Sequence, residues 1–184
     1  MPTAFLDRDG VINRRPSGDY VKSWPEFEFL PGAREALHQL KVNGFLLILV
    51  TNQRGISLGK MQESGLWVIH EQMQGELRQA DAALDGIYYC PHDANACECR
   101  KPQIGMFLEA RRDFPKIQFG DSYVIGDSSS DMEAGARIGA KLVLIGPESD
   151  AALSVLAAKN IRVDFSAPSL LEAAQRYLIP SVIR

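Results

Sequence analysis

The sequence lacks any long hydrophobic segment. Its longest purely apolar run covers residues 45–50, far short of the about 20 residues that a membrane-spanning helix needs. The N-terminus reaches Asp7, Arg8 and Asp9 before any apolar stretch of the kind found in secretion signals. These absences argue against a membrane partner, and we expect a cytoplasmic location.

Cysteine is scarce, and positive charge is not in excess. The three cysteines cannot all pair within one chain, so we expect reduced thiols that are either free or bound to a metal. A formal net charge of −3 provides no basic surface for a nucleic-acid backbone. The composition therefore favours a small-molecule partner over nucleic acid.

The chain shows no repeat, low-complexity tract or charge run that would mark a linker. Its 184 residues, of which 46% are hydrophobic, are enough for one domain with a substantial core. We expect a single domain over residues 1–184 that acts as a monomer.

Short β-rich runs alternate with longer amphipathic segments. The pattern predicts strands at 4–6, 45–50, 86–89, 123–125 and 141–145, with a possible edge strand at 162–165. It predicts helices at about 32–42, 62–82, 103–114, 131–139, 149–159 and 168–178. Such alternation is typical of βαβ crossovers, and it predicts an α/β fold with a three-layer, doubly wound (Rossmann-like) parallel sheet.

Polar clusters follow the predicted strands at their carboxyl ends, where open α/β sheets bind ligands. These clusters are Asp7, Arg8, Asp9 and Gly10; Thr51, Asn52 and Gln53; Arg100 and Lys101; and the run from Gly126 to Asp131. One aspartate in such a place would more often be a turn or helix-capping residue. Several clusters that recur in order instead predict one shared pocket.

The acidic residues of these clusters predict a magnesium site. Asp7 and Asp9 can project to one side while Arg8 points away, because side chains alternate along an extended chain. With Asp127 they would form an oxygen-only ligand set, which is typical of Mg²⁺. We therefore expect Asp7, Asp9 and Asp127 to bind this ion.

The same clusters hold the groups that phosphate-ester hydrolysis needs, since the charge of a phosphate dianion must be neutralised before a nucleophile attacks. Lys101 and the Thr51 hydroxyl could bind the phosphoryl oxygens. Asp7 could then attack phosphorus, while Asp9 acts as the general acid and later as the general base. The sequence predicts these four residues as the catalytic set.

All three cysteines lie in the short segment CPHDANACECRKP, which begins at Cys90. Together with His92, the thiols of Cys90, Cys97 and Cys99 would make a complete tetrahedral set for a structural Zn²⁺. The alternative is a group of buried, reduced cysteines. A bound zinc would order the loop and thereby orient the two cations that follow it.

Four motifs carry a resemblance to a known family. FLDRDGVIN, LVTNQRGI, CRKP and VIGDSSSD resemble the ordered motifs of the haloacid-dehalogenase (HAD) superfamily of aspartyl phosphatases. The resemblance implies Asp7 as nucleophile, Asp9 as general acid and base, Thr51 and Lys101 as phosphoryl-binding residues and Asp127 as a Mg²⁺ ligand. An acid two residues after the nucleophile marks the phosphatases of that superfamily.

The cysteine loop narrows the resemblance. DGIYYCPHDANACECRKPQIGM is similar to the corresponding region of the bacterial D-glycero-D-manno-heptose 1,7-bisphosphate phosphatases, and a related loop occurs in the histidinol-phosphate phosphatases. The resemblance implies removal of the anomeric (C1) phosphate of the heptose bisphosphate, a precursor for surface polysaccharide, with histidinol phosphate as the alternative substrate. Arg54 and Ser128 depart from the residues usual in those families.

No segment between the motifs is long enough for a separate cap domain, so we expect a capless enzyme whose pocket is roofed by loops. We expect six residues to contact substrate: Tyr20, Asn52, Gln53, Arg54, Arg100 and Ser128. Arg54 and Lys60 could bind a second, distal phosphate. His38 and His70 lie in helical patterns away from the motifs, and we interpret both as surface or boundary residues.

Two other functions remain open from the sequence. A nucleic-acid end phosphatase is disfavoured by the acidic charge. A zinc-bearing interaction module without catalysis would leave the ordered aspartates, Thr51 and Lys101 unexplained.

Overall fold

The computed structural model describes residues 1–146 and 150–182. Its centre is a six-stranded, all-parallel sheet in the order β3-β2-β1-β4-β5-β6. The strands are β1 (Thr3–Leu6), β2 (Leu46–Asn52), β3 (Gly86–Cys90), β4 (Ser122–Gly126), β5 (Lys141–Ile145) and β6 (Phe165–Ala167). The predicted α/β fold with a doubly wound parallel sheet is confirmed.

Helices connect the strands. They are α1 (Ala33–Val42), α2 (Glu63–Gln79), α3 (Gly105–Asp113), α4 (Ser129–Ile138), α5 (Asp150–Ala158), α6 (Leu170–Ala173) and α7 (Ile179–Val182). A π-helical segment over Ala174–Leu178 joins α6 to α7. None of the helices in the described ranges combines the length and apolar composition needed to cross a bilayer.

Burial explains why the central strands are almost entirely apolar. β1 is buried at every position, and β2 is buried at every position before Asn52. Phe5 of β1 lies opposite Ile48 of β2 on one side and Val124 of β4 on the other. A parallel strand with neighbours on both edges and helices on both faces has no solvent-facing side, so alternating polar residues would be unfavourable there.

The boundaries of several elements differ from the predicted ones. Helix α4 begins two residues earlier than expected because Ser128 forms a capping box with Asp131, the third residue of the helix. The edge strand lies at Phe165–Ala167 rather than at 162–165. Residue 149, the first of one predicted helix, lies outside the described residues, and α5 is described from Asp150 onward.

The strand order reverses at β1, which lies between β2 and β4. In open α/β sheets a crevice forms at this switch point, beyond the carboxyl ends of the strands. The loops that follow β1, β2 and β4 therefore converge on one edge of the sheet, and the loop that contains Lys101 approaches the same edge. The fold thus brings together segments of the chain that are more than 100 residues apart in sequence, such as Asp7 and Asp127.

Candidate active site

Asp7 stands at the end of β1, at the centre of the convergent loops. Its backbone N–H donates to the carbonyl of Ile125 in β4, which fixes the start of the loop against the neighbouring strand. Its carboxylate accepts a hydrogen bond from the Arg8 N–H at 2.7 Å. The Lys101 ammonium group lies 3.2 Å from the same oxygen, Oδ1. The carboxylate is therefore oriented by its own loop and faces a cation.

Lys101 is buried, with 3% of its surface exposed, so its charge must be paired. Its Nζ lies 2.5 Å from Asp131 Oδ1 and donates to the carbonyl of Val50 at 2.6 Å. Burial lowers the pKa of Lys101, but Asp131 and Asp7 raise it by a larger amount, so the side chain stays charged. The ammonium group is a fixed positive charge between two carboxylates.

Asp7 has an unusual protonation equilibrium. Burial raises the pKa of Asp7, the Lys101 charge opposes it, and the nearby carboxylates of Asp131, Asp9 and Asp127 add to the increase, so that the pKa reaches about 7. Burial and Asp131 likewise raise the pKa of Asp127. This concentration of negative charge is incompletely neutralised by protein groups, and a bound cation would stabilise the ionised form of each carboxylate.

Three carboxylates fit a cation. Oxygens of Asp7, Asp127 and Asp131 lie within 4.8 Å of one another. Asp127 Oδ1 is buried and has no hydrogen-bond partner in the described part of the chain, while Oδ2 pairs with Arg15 at 3.1 Å. An unpartnered buried carboxylate oxygen beside two others is the expected arrangement for a hard divalent cation such as Mg²⁺.

This group differs from the predicted one, which had the Asp9 carboxylate in place of Asp131. Asp131 lies in the predicted polar cluster from Gly126 onward but was not among the expected metal ligands. Its Oδ2 accepts from the N–H of Ser128 at 3.1 Å and from the Ser128 hydroxyl at 2.6 Å, which leaves Oδ1 for Lys101. The signal that could have identified it was a second acid one helical turn after Asp127.

The Asp9 carboxylate is held on the other side of the site. It accepts from Arg8 Nη2 at 3.1 and 3.0 Å, from Asn13 Nδ2 at 2.9 Å and from Gln53 Nε2 at 3.0 Å. Burial alone would raise the pKa of Asp9, but the Arg8 charge and these hydrogen bonds lower it below its ordinary value. Asp9 is therefore an oriented, ionised carboxylate beside Asp7.

Arg8 points away from the cavity, as predicted, but it does not reach solvent. Its guanidinium is completely buried, and its Nη1 lies 3.3 Å from Nε2 of His70. The expectation that His70 is a surface or boundary residue is therefore wrong, because only 6% of it is exposed. His38, by contrast, is half-buried on α1 and contacts the carbonyl of Asp81.

The end of β2 contributes three polar residues in succession. Thr51 is buried, and its hydroxyl accepts from Gln53 Nε2 at 3.1 Å. Asn52 binds the backbone of Lys101 twice, accepting from its N–H at 3.0 Å and donating to its carbonyl at 3.1 Å. Gln53 is fully buried and donates hydrogen bonds to Asp9 and Thr51. It was expected to contact substrate, but it positions other side chains and does not line the cavity.

A cavity of about 380 Å³ opens above Asp7 and Asp9. The predicted substrate-contacting residues among its lining are Tyr20, Asn52, Arg54, Arg100 and Ser128. Two cations also line it: Lys60, which was expected near a distal phosphate, and Arg15, which was not among the expected site residues. A small anionic ligand would therefore meet positive charge around the rim.

Two of the rim arginines differ in how they are paired. Arg54 Nε donates to Asp93 Oδ1 at 2.5 Å, an ion pair that is partly exposed. Arg100 Nη1 is buried and has no hydrogen-bond partner among the residues that the structure describes. Arg100 therefore has a free donor beside the cavity, while Arg54 would have to share its charge between Asp93 and a ligand.

The cysteine loop forms a compact cluster next to the site. Cys99 Sγ lies 3.1 Å from Cys90 Sγ and 3.3 Å from Cys97 Sγ, and His92 Nδ1 lies 3.3 Å from Cys99 Sγ. A zinc tetrahedron with bonds of about 2.3 Å has edges of about 3.8 Å, so the four donors need only a small expansion to hold the ion. The Arg100 N–H also contacts Cys97 Sγ at 3.4 Å, which links the cluster to the start of the cationic segment.

Comparisons with known proteins agree with this geometry. A family profile described as HAD-hydrolase-like matches residues 98–173. The D-glycero-beta-D-manno-heptose-1,7-bisphosphate 7-phosphatase of Escherichia coli is 42% identical over 165 residues, which cover 82% of this chain and 85% of that protein. The D-glycero-alpha-D-manno-heptose-1,7-bisphosphate 7-phosphatase of Mycobacterium bovis is 43% identical over 137 residues, which cover 74% and 72%.

A solved structure resembles the whole fold. The D,D-heptose 1,7-bisphosphate phosphatase of B. bronchiseptica, solved as a complex with magnesium and phosphate, has a TM-score of 0.85 and 30% sequence identity, and the match covers 97% of this chain and 98% of that one. The relatives from E. coli and M. bovis are both named 7-phosphatases. The expectation that the anomeric C1 phosphate is removed is therefore wrong.

Proposed function

The chain belongs to the family of HAD-like hydrolases that includes the heptose-1,7-bisphosphate 7-phosphatases, and from this membership we propose that it removes the 7-phosphate of D-glycero-D-manno-heptose 1,7-bisphosphate. The product would be heptose 1-phosphate and inorganic phosphate. The observation that carries the proposal is the placement of the Asp7 carboxylate 3.2 Å from the buried Lys101 cation, at the floor of a cavity with a cationic rim.

In the proposed first step, a carboxylate oxygen of Asp7 attacks the phosphorus of the 7-phosphate. The P–O7 bond breaks as the new P–O bond to Asp7 forms. The departing O7 would otherwise leave as a strongly basic alkoxide, so a proton must reach it from Asp9 in the transition state. Asp9 is ionised in the free site, and the negative charge of a bound phosphate beside it would raise its pKa so that it takes up this proton before the attack. This step gives heptose 1-phosphate and an aspartyl phosphate on Asp7.

In the second step, water attacks the phosphorus of the aspartyl phosphate. Asp9, now ionised, takes a proton from that water, and the bond between phosphorus and the Asp7 oxygen breaks. Inorganic phosphate leaves, Asp7 is again a carboxylate, and Asp9 carries the proton for the next cycle. Asp9 therefore serves as acid in one step and as base in the next.

Lys101 and Thr51 would stabilise the phosphoryl group. The Lys101 ammonium group already lies between Asp7 and Asp131, so it needs no reorganisation to act on charge that develops beside Asp7. The Thr51 hydroxyl accepts from Gln53, which leaves its own hydrogen available for a phosphoryl oxygen. Asn52 holds the Lys101 backbone in register with the end of β2.

Two metals fit the residues present. Asp7, Asp127 and Asp131 would hold Mg²⁺, which supplies charge neutralisation for the phosphate and for the clustered carboxylates. Cys90, His92, Cys97 and Cys99 would hold Zn²⁺ in a closed structural site. The zinc loop would fix the chain direction just before Arg100 and Lys101.

The 1-phosphate of the substrate would lie toward the rim of the cavity. Arg100 offers an unpartnered, buried donor, and Arg54, Lys60 and Arg15 add positive charge around the opening. Tyr20 lies beneath Lys60, whose ammonium group is 5.4 Å from the ring centroid, and would form an apolar wall for the sugar. All of these residues come from one chain, so we expect the monomer to be active.

The test is a product analysis. The purified protein, with Mg²⁺, is incubated with each anomer of the heptose 1,7-bisphosphate and, separately, with histidinol phosphate, and the products are identified by ³¹P NMR. We expect loss of the 7-phosphate resonance, retention of the 1-phosphate and little turnover of histidinol phosphate. Loss of the 1-phosphate, or a preference for histidinol phosphate, would overturn the assignment.

A further inference from the structure

His70 occupies a core-facing position of α2. The residues that α2 buries recur at helical spacing, and they are Leu66, Ile69, His70, Met73, Gln74 and Leu77. A histidine in this stripe removes a polar ring from water, which is unfavourable unless its nitrogens are satisfied. The apolar core around His70 cannot satisfy the ring nitrogens, so a polar partner is needed.

The hydrogen bond to Arg8 fixes the state of the imidazole. A guanidinium group has only donors, so His70 Nε2 must accept from Arg8 Nη1 across the 3.3 Å that separate them. The hydrogen of the neutral ring is then on Nδ1. Burial and the Arg8 charge lower the pKa of His70 to about 3, so the ring stays neutral and remains an acceptor at physiological pH.

Arg8 links the His70 imidazole to the Asp9 carboxylate in the site. Its Nη2 lies 3.1 and 3.0 Å from the two oxygens of Asp9, while its Nη1 is held by His70. Among the described residues, a further side-chain acceptor is Gln53 Oε1, which lies 3.5 Å from Arg8 Nη2, the outer limit of a hydrogen bond. The guanidinium plane is therefore fixed between Asp9 on one side and the imidazole on the other.

We propose that His70 is a positioning residue for the proton-transfer step: by accepting from Arg8 it sets the orientation in which Arg8 holds the Asp9 carboxylate. This inference rests on the role of Asp9 in the proposed function. Proton transfer depends steeply on distance, and a displacement of about 1 Å at a reacting group can cost about 10²-fold in rate. His70 does not line the cavity, so its effect reaches the chemistry only through Arg8 and Asp9.

Three substitutions separate positioning from packing. His70→Gln keeps an acceptor near the position of Nε2, whereas His70→Phe keeps a planar ring and removes the acceptor. We expect His70→Gln to retain kcat within about 3-fold, and His70→Phe to lower kcat for the heptose bisphosphate about 10-fold or more, with KM changed less than about 2-fold. His70→Leu also removes the acceptor but has a smaller side chain. It replaces His70→Phe in the experiment if the Phe variant does not fold.

The leaving group supplies a readout that a structural role would not give. Nitrophenolate leaves from 4-nitrophenyl phosphate without needing a proton, whereas the sugar alkoxide needs one from Asp9. Because kcat/KM reports the steps up to phosphorylation of Asp7, His70→Phe should lower it about 10-fold for the sugar phosphate and less than about 3-fold for the aryl phosphate. An equal loss on both substrates would indicate general damage and overturn the proposal.

A double-mutant cycle with Asp9→Asn measures whether His70 acts through Asp9. If His70 acts through Asp9, His70→Phe should lower the remaining activity of the Asp9→Asn protein by less than about 2-fold. If His70→Phe instead lowers the activity of the Asp9→Asn protein by the same factor as that of the wild type, the proposal is overturned. It is also overturned if His70→Phe and His70→Leu both have wild-type kinetics while Asp9→Asn is impaired. Full activity of Asp9→Asn itself would overturn the proposed function, and the inference with it.

Discussion

Gly10 and Asp127 approach each other so closely that no side chain fits between them. Gly10 has a φ of +92°, and a Cβ atom at that position would overlap the carboxylate of Asp127. The turn after β1 can therefore pack against the turn after β4 only because Gly10 has no side chain. The position of a carboxylate in the proposed metal site depends on this glycine.

Gly10→Ala should for this reason impair metal binding as well as stability. The added methyl group would displace Asp127, and we expect kcat to fall at least about 10-fold and the Mg²⁺ concentration for half-maximal activity to rise. Gly44→Ala is the matched control, because Gly44 also has a positive φ of +79° but has nothing within 4 Å of its Cβ position. It should cost about 1–2 kcal/mol of stability and leave the Mg²⁺ response unchanged. Equal Mg²⁺ titrations of the two variants would contradict this view of Gly10.

Arg54 should discriminate between a bisphosphate and a monophosphate. If it binds the 1-phosphate, Arg54→Ala should raise KM for heptose 1,7-bisphosphate about 10-fold and for heptose 7-phosphate less than about 2-fold, since only the former has a group for it to contact. Arg112→Ala, which removes an arginine with 73% of its side chain exposed on α3, should change neither value. Parallel increases on both substrates would remove Arg54 from the distal site.

The cysteine cluster should bind zinc, and the bound zinc should hold Arg100 and Lys101 in position. We expect Cys99→Ser to lower the zinc content, measured by mass spectrometry of the metal, and to reduce kcat because the loop before Lys101 loses its anchor. All three cysteines lie in this loop, so Glu98→Gln, an exposed neighbour that is not in the cluster, is the control. A zinc-free protein with full activity would contradict the proposed role.

Burial of neutral His70 predicts a specific acid sensitivity. The pKa of His70 is lowered to about 3 by burial and by Arg8, with Asp9 opposing and the Tyr89 ring packed beside it, whereas an unfolded histidine titrates near 6.5. Between these values the unfolded chain binds an additional proton, so stability is lost as pH falls, by up to about 1.4 kcal/mol per pH unit.

Urea unfolding of the wild type and of His70→Gln between pH 7 and pH 4 measures this difference directly. The gap in unfolding free energy between the two proteins should change in favour of His70→Gln as the pH falls. A gap that is independent of pH would contradict this, because it would show that His70 binds its proton as readily in the folded chain as in the unfolded one.

The features that could be predicted from the sequence are those encoded by neighbouring residues. The apolar run of β2 indicates a buried parallel strand by itself, and the Cys90, His92, Cys97 and Cys99 spacing indicates a metal-binding loop. The polar residues that follow the strands converge because parallel strands end at the same edge. These arguments need no knowledge of how distant side chains pack.

Other features depend on packing between distant segments. Asp131 appears in sequence as a residue of a helix N-terminus, and its contact with Lys101 follows only from how α4 lies against the loop after β3. Arg8 and His70 are 62 residues apart, and the sequence gives no sign that they meet. The choice between the two phosphates of the substrate has no local signal either, because both ends carry the same dianion.

The central claim is that Asp7 is transiently phosphorylated, and trapping that species tests it most directly. Acid quenching during turnover, followed by borohydride reduction and peptide mass spectrometry, should identify a modified side chain at Asp7. The Asp7→Asn protein should show no such product and should lose at least about 10³-fold in kcat. Turnover that continues with Asp7 unmodified, or a phosphoryl group found on a different residue, would contradict the account.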